Sequence, residues 1–251
     1  MKHLVRNALK AAGYRIVRDK TPLDQLIPEI DGFQRTLIET SSKYSMTGPL
    51  RLWAFMRAIE DVAARGIPGD LVECGVWKGG NLVLAGLMRQ KLELSTKIWG
   101  FDTFEGMSTP TEHDRKNKDS QLAKETFDKL DRGDHNEWCY AAIDEVRDNF
   151  KREVGDAQLQ LVKGRVEDTL RDPANLPDKI SVLRLDTDWY ESTKVELEVL
   201  YPRLVDGGVL IIDDYGEWAG AKQAVDEYFK GRPIWLHYVD PSCRLMLKPS
   251  A

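Results

Sequence analysis

The chain has 251 residues, 42% of them hydrophobic, and a formal net charge of −5. That apolar content suffices for one α/β domain with additions, and the acidic balance argues against a nucleic-acid partner, since phosphate binding wants a basic face. Cys74, Cys139 and Cys243 show no CxxC spacing, no apolar run has the length of a membrane span, and the N-terminus lacks a continuous apolar signal core. No disulfide framework, zinc site, membrane helix or secretory leader is therefore expected, and the composition fits a reducing cytoplasm.

Residues 1–20 are basic and weakly amphipathic, with Leu4, Val5, Ala8, Leu9, Ala12 and Ile16 on one face. That face is small, so packing on the domain or on another subunit is expected over membrane contact. Residues 21–48 read as irregular, and Tyr44 to Gly48 as a polar turn or a flap over a ligand. Pro49 opens a predicted helix to about Arg65, with Gly66 as its stop and Trp53, Met56, Ile59, Val62 and Ala63 as its core stripe. Residues 1–48 are thus set apart as an extension of the main domain, 49–251.

Residues 70–81, DLVECGVWKGGN, read as strand, glycine turn and helix start. This is the opening unit of a nucleoside-binding sheet, though its spacing is not GxGxxG. Glu73 closes the strand, and a carboxylate there suits a cationic amine better than a pyrophosphate. A second predicted strand, Ile98 to Phe101, ends in Asp102, placed to accept hydrogen bonds from ribose hydroxyls. The long charged stretch 105–150 follows on the ligand side of the sheet and reads as a lid. His113 and His135 within it read as solvated. Leu159 to Val162, followed by Gly164, is a third strand, near an adenine ring.

Residues 181–215 carry the strongest signal. Val182-Leu183-Arg184-Leu185 ends in Asp186-Thr187-Asp188, a helix follows, Asp206-Gly207-Gly208 reads as a turn, and Val209-Leu210-Ile211-Ile212 ends in Asp213-Asp214. Ligands of open α/β sheets bind outside the carboxyl ends of strands, so four acidic side chains should converge there. Such crowding is best relieved by a cation, and all-oxygen ligands favour magnesium, with manganese or calcium as substitutes. The competing reading is that a strand-end Asp merely caps a helix or forms a turn. A predicted helix, 217–230, and a hairpin, Ile234 to Val239 with Arg244 to Leu247, complete the chain. Five strands alternating with helices, then a hairpin, is the order of the class I methyltransferase (Rossmann-like) fold: seven strands, mostly parallel, with helices on both faces.

Five motifs, ECGVWKGG at 73–80, FDTFEG at 101–106, GRVEDTL at 164–170, LDTDWYEST at 185–193 and IDDY at 212–215, resemble the macrocin O-methyltransferase (TylF-type) family. The resemblance implies S-adenosylmethionine as methyl donor, magnesium dependence and a sugar hydroxyl on a glycoside or glycan as acceptor. It places the metal on Asp186, Asp213 and Asp214 and the general base on Asp188. It surrounds the donor with Glu73, Gly75, Trp77, Gly79, Asn81, Asp102, Thr103, Phe104, Gly164, Arg165 and Asp186. Arg165 stands where family members commonly carry an aromatic or bulky residue. Tyr44, Met46 and Tyr215 are taken as acceptor or lid residues, and a homo-oligomer is expected. Asp186 and Asp188, two apart in extended chain, would share a face. The alternatives are a catechol-type O-methyltransferase, an NAD-binding oxidoreductase, against which the glycine spacing argues, and a non-catalytic protein that kept the fold, against which the intact acidic set argues.

Overall fold

The computed structural model describes residues 21–250, so the reading of residues 1–20 lies outside the described residues. Two compact units emerge, Met1–Arg35 and Thr36–Ala251, a division earlier in the chain than the expected one at 48/49. In the first, α1 spans Leu23–Leu26. Asp31 and Gln34 cap the start of α2, Gly32–Ser41, reciprocally: Gln34 N–H donates to Asp31 Oδ1, and Asp31 N–H to Gln34 Oε1.

The second unit carries a seven-stranded sheet. Its strands are β1 Asp70–Cys74, β2 Ile98–Asp102, β3 Leu159–Lys163, β4 Ile180–Leu185, β5 Leu204–Ile212, β6 His237–Tyr238 and β7 Arg244–Leu247. Their order is β3-β2-β1-β4-β5-β7-β6. The first five are parallel, and β7 runs antiparallel to both β5 and β6. The helices are α3 Pro49–Ala64, α4 Gly80–Lys91, α5 Ala123–Leu130, α6 Ile143–Val154, α7 Val166–Thr169, α8 Tyr190–Val199 and α9 Ala219–Tyr228. This is the class I methyltransferase architecture.

Central β4 is buried along its whole length, as a parallel strand covered on both faces must be. Alternation then sorts its side chains. Leu183 and Leu185 join Val72, Cys74, Leu210 and Ile212 in a core shared with Leu197 of α8 and Val225 of α9. Arg184 points the other way, where Asn81 of α4 and Arg51 of α3 lie. On α3 the predicted stripe holds at Met56, Ile59 and Val62, with Leu52, Phe55 and Ala58 buried beside them.

Two sequence expectations need correction. Asp206-Gly207-Gly208 is not a turn before the strand: β5 runs through it, with Gly207 at φ 75° and a register irregularity opposite Ile180 and Val182. The exchange of backbone hydrogen bonds with Lys248 keeps this stretch in the ladder. The first arm of the hairpin shrinks to His237–Tyr238, and Trp235 is 81% exposed, because β6 is an edge strand with one neighbour. The 105–150 stretch, read as a lid, holds α5 and most of α6. It is tied to the domain by an antiparallel bridge pairing Lys116 with Trp218, in which Asn117 N–H donates to Glu217 O and Ala219 N–H to Arg115 O.

Candidate active site

The carboxyl ends of β1, β4 and β5 lie side by side and continue their ladder one residue past each strand. Asp186 N–H donates to Cys74 O and Asp213 N–H to Leu185 O, both at 2.9 Å. Gly75, Asp186 and Asp213 thereby stand in a row. The row needs glycine at 75: φ is 81°, and a Cβ would lie 1.9 Å from Asp186 O.

Alternation explains how the acidic residues divide. Glu73, Arg184 and Asp213 share one face of the sheet, where Arg184, wholly buried, donates to Glu73 Oε1 (2.7 Å), Asp213 Oδ1 (2.6 Å), Asp186 Oδ2 (2.6 Å) and Thr47 Oγ1 (3.0 Å). Asp213 Oδ2 is held by Arg51, whose Nε also bonds Asp240 Oδ2 at 2.7 Å. Asp214, the next residue, faces the opposite way and meets Asp188. Oxygens of Asp186, Asp188 and Asp214 all lie within 4.8 Å of one another. Asp188 does not reach them in extended chain as expected: the backbone turns at Thr187, and Asp188 sits at φ 68°. A non-glycine residue held there is strained, a feature that concentrates at functional sites.

The electrostatics follow from burial and crowding. Burial first, then the Asp186 charge, pushes the Asp188 carboxyl up to about 8, against hydrogen bonds from Asp214 and the Trp218 indole that oppose the shift. Asp186 and Asp214 are also raised well above the usual carboxylate range, by burial foremost. Asp188 and Asp214 meet at close range: Asp188 N–H donates to Asp214 Oδ2 at 3.3 Å, and each carboxyl acts on the titration of the other. The Glu73 carboxyl is raised to about 7 by burial, a shift that Arg184 and Asn81 oppose. Glu73 Oε2 and Asn81 Oδ1 are buried acceptors with no hydrogen-bond partner. Five carboxyl groups gather around two guanidiniums, and hard, clustered oxygens of this kind fit a magnesium-like cation.

Two cavities open here. The first, about 180 Å³, contains the four aspartates with Met46, Trp77, Asn81 and Asp102. The second, about 60 Å³, contains Thr103, Gly164 and Arg165. Gly75, Asp102, Met107 and Asp186 belong to both. Asp102 accepts from the backbone N–H groups of Val76, Trp77 and Phe104 at 2.7–3.1 Å, which ties the glycine turn to the end of β2.

The remaining sequence candidates do not line either cavity, Glu73 among them, which is buried behind Arg184 and Asn81. Gly79, at φ 87°, is the N-cap of α4, and Phe104 is buried. The Tyr44 hydroxyl donates to Glu153 on α6, and the Tyr215 hydroxyl to Asp226 on α9. Residues missed in the sequence include Thr47, Arg51, Met107 and Cys139 of the first cavity and Thr187 and Ser192 of the second. Arg184 did carry a signal, a charge inside an otherwise apolar strand; Arg51 on an amphipathic helix carried none.

Protein-family comparison matches residues 15–243 to Macrocin-O-methyltransferase (TylF). The chain belongs to this family. It is accordingly an O-methyltransferase. It is 37% identical over 190 residues to the demethyldecarbamoylnovobiocin O-methyltransferase of Streptomyces niveus, covering 75% of this chain and 68% of that one. It is 30% identical over 220 residues to the mycinamicin III 3''-O-methyltransferase of Micromonospora griseorubida, covering 85% and 82%. Among solved structures the O-methyltransferase NovP superposes with a TM-score of 0.70 at 32% identity, covering 82% of this chain and 83% of that one. No helix among the described residues is long and apolar enough to cross a membrane.

Proposed function

We propose that this enzyme transfers a methyl group from S-adenosylmethionine to a sugar hydroxyl, assisted by a divalent cation of the magnesium type. The observation that carries the reading is the wall shared by the two cavities, Gly75, Asp102 and Asp186, with the acidic cluster on one side of it. The adenosine end of the donor fits the smaller cavity, beside Thr103, Gly164 and Arg165. Its amine suits the two unpartnered acceptors, Glu73 Oε2 and Asn81 Oδ1. Relatives that modify sugar-bearing natural products, among them a protein named for 4'-O-methylation of a rhamnosyl tetracenomycin, support a sugar acceptor.

Asp186, Asp213 and Asp214 would hold the cation, and Asp186 and Asp214 already stand together. When bound, a divalent cation stabilises negative charge developing on the acceptor oxygen as a Lewis acid. The donor supplies an activated methyl on a sulfonium, so no covalent enzyme intermediate is required. Asp188 takes the hydroxyl proton. The Trp218 indole orients its carboxylate, and the turn at Thr187 aims it into the larger cavity. Met107 and Cys139, contributed by the 105–150 insertion, narrow that cavity and exclude water. Soluble, single-site chemistry of this sort matches a cytoplasmic enzyme; a homo-oligomer is proposed with it.

The test is calorimetric and catalytic together. S-adenosylmethionine and Mg²⁺ should each bind, and excess EDTA should abolish methylation of a glycoside panel. Full activity in EDTA would remove the cation from the mechanism. Preference for catechols over sugars would move the acceptor to the aromatic class.

A further inference from the structure

The structure assigns Arg51 a role that rests on the cation reading: we infer that its guanidinium is the internal counter-ion of the cation site, occupying Asp213 Oδ2 until a divalent cation takes that oxygen and Arg51 withdraws onto Asp240. Four observations carry this. First, Asp213 Oδ1 is committed to Arg184, which is wholly buried on the same sheet face and bonded to three other groups. Oδ2 is therefore the oxygen that Asp213 can offer. Second, Oδ2 is held by a second guanidinium of a different kind. Arg51 is 24% exposed, comes from the first turn of α3, and lines the larger cavity beside Asp186, Asp188 and Asp214.

Third, Arg51 has somewhere to go. Its Nε is already bonded to Asp240 Oδ2, and Asp240 is fixed by accepting the backbone N–H groups of Ser242 and Cys243 on Oδ1. Ser242 in turn donates its hydroxyl to Asp213 O, so the β6–β7 turn, Arg51 and Asp213 form one hydrogen-bonded unit. A flexible side chain with one bond on each of two carboxylates can drop one of them without leaving the unit. Fourth, the charges compel competition. A guanidinium and a divalent cation repel each other strongly at the short separations that a shared carboxylate imposes. Arg184 cannot relieve that repulsion by moving, because it is buried among its partners; Arg51 can. The two arginines thus divide the work: Arg184 is a permanent part of the floor, and Arg51 is exchanged.

The sign of each substitution follows. Removing the Arg51 charge frees Asp213 Oδ2, so R51Q should tighten Mn²⁺ binding by on the order of ten-fold, the solvent-screened side of the Coulomb range. D240N keeps the Oδ1 contacts with Ser242 and Cys243 but withdraws the negative charge that competes for Arg51, so it should loosen Mn²⁺ binding about three-fold. R51Q/D240N should bind as R51Q does, because Asp240 acts only through Arg51. In a D213N background, R51Q should give no tightening, which is the coupling a double-mutant cycle reads.

The experiment is a calorimetric titration of full-length protein with MnCl₂ alone, with cation-free thermal unfolding of each variant as the folding control. Should R51Q fail to fold, D240N carries the test with its opposite sign. Unchanged or weaker Mn²⁺ affinity in R51Q, or unchanged affinity in D240N, overturns the inference while a D186A-sensitive wild-type affinity leaves the cation reading standing. If neither wild type nor R51Q binds Mn²⁺, the cation reading falls and takes the inference with it.

Discussion

The two cavities share a wall yet differ in chemistry. The larger is floored by carboxylates that cannot all be ionised without a partner, and one of its edges, Asp188, is held at a strained backbone angle. The smaller is lined by Phe101, Val166, Met107 and glycine backbone at 75, 106 and 164, with Thr103, Thr187 and Ser192 as polar elements and Asp102, Glu167, Asp186 and Arg165 as charged ones. Both arise at the same edge of one sheet. The difference comes from which strands end there: β4 and β5 end in paired aspartates, while β2 and β3 end in one aspartate and a Lys-Gly turn. One cavity thus crowds five aspartates together, while the other spreads three carboxylates and Arg165 among apolar side chains and glycine backbone. A reaction that moves a methyl from a sulfonium to an oxygen needs both, joined at a wall thin enough for the reacting atoms to meet.

The comparison breaks most sharply at Asp188. D188N should lower kcat by roughly 10²–10⁴-fold, the usual reach of a general base, while donor affinity in the other cavity stays unchanged. A steady-state kinetic series with calorimetry of S-adenosylmethionine separates the two effects, and an equal loss in donor affinity would show that Asp188 serves both cavities. Next comes the shared wall itself. G75A places a Cβ against Asp186 O at a positive φ and should cost about 3 kcal/mol or more in urea unfolding. A stable G75A protein would mean the wall is less tightly built than the described contacts require.

A gentler probe is D102N, which keeps one oxygen acceptor but loses the charge. Donor affinity should fall about ten-fold, the scale of a charge-assisted hydrogen bond made neutral. The thermal shift caused by Mg²⁺, which belongs to the other cavity, should persist. Loss of that shift in D102N would show that the cavities do not act separately.

The smallest effect is a pH dependence. Folding raises the Asp188 carboxyl from its ordinary 3.8 to about 8, so the folded state holds a proton that the unfolded chain has lost across that window. Stability from this group is full below about pH 4 and is lost as pH rises through about 8. Cation-free protein should therefore melt a few degrees lower at pH 8 than at pH 5. A bound cation replaces the proton, so the stabilisation by Mg²⁺ should grow as pH rises. A Mg²⁺ shift that shrinks with pH would contradict the raised Asp188 carboxyl.

Much of this was legible in one dimension. The apolar runs ending in Asp102, Asp186 and Asp213 marked three strand ends correctly because parallel strands are buried on both faces and leave no alternation to misread. The glycine turn after Cys74 was legible because Gly75 meets a steric demand that no other residue satisfies. The paired aspartates announced a crowded site because like charges rarely gather without a reason. Hydrophobic period likewise gave the core stripe of α3. The insertion was legible only as an insertion: its charges drew attention away from α6, although Val146, Phe150 and Val154 recur there at helical spacing and are buried.

Tertiary structure alone decided how those residues divide. Asp213 and Asp214 are neighbours in sequence, but strand alternation sends them to opposite faces, one to Arg184 and Arg51, the other to Asp188. Trp138, Trp189 and Trp218 come from three distant segments, yet their ring centroids lie 5.0–6.0 Å apart under the insertion. Trp189 Nε1 reaches back to Ser108 O at 2.9 Å, and buried Asp114 caps α8 by accepting the Tyr190 N–H at 2.8 Å. Local sequence dictates what a strand or helix is, because propensity, burial period and backbone sterics act over a few residues. Which side chains then share a charge, a proton or a cavity depends on contacts between segments tens to well over a hundred residues apart, and for those only the packed chain supplies the distance.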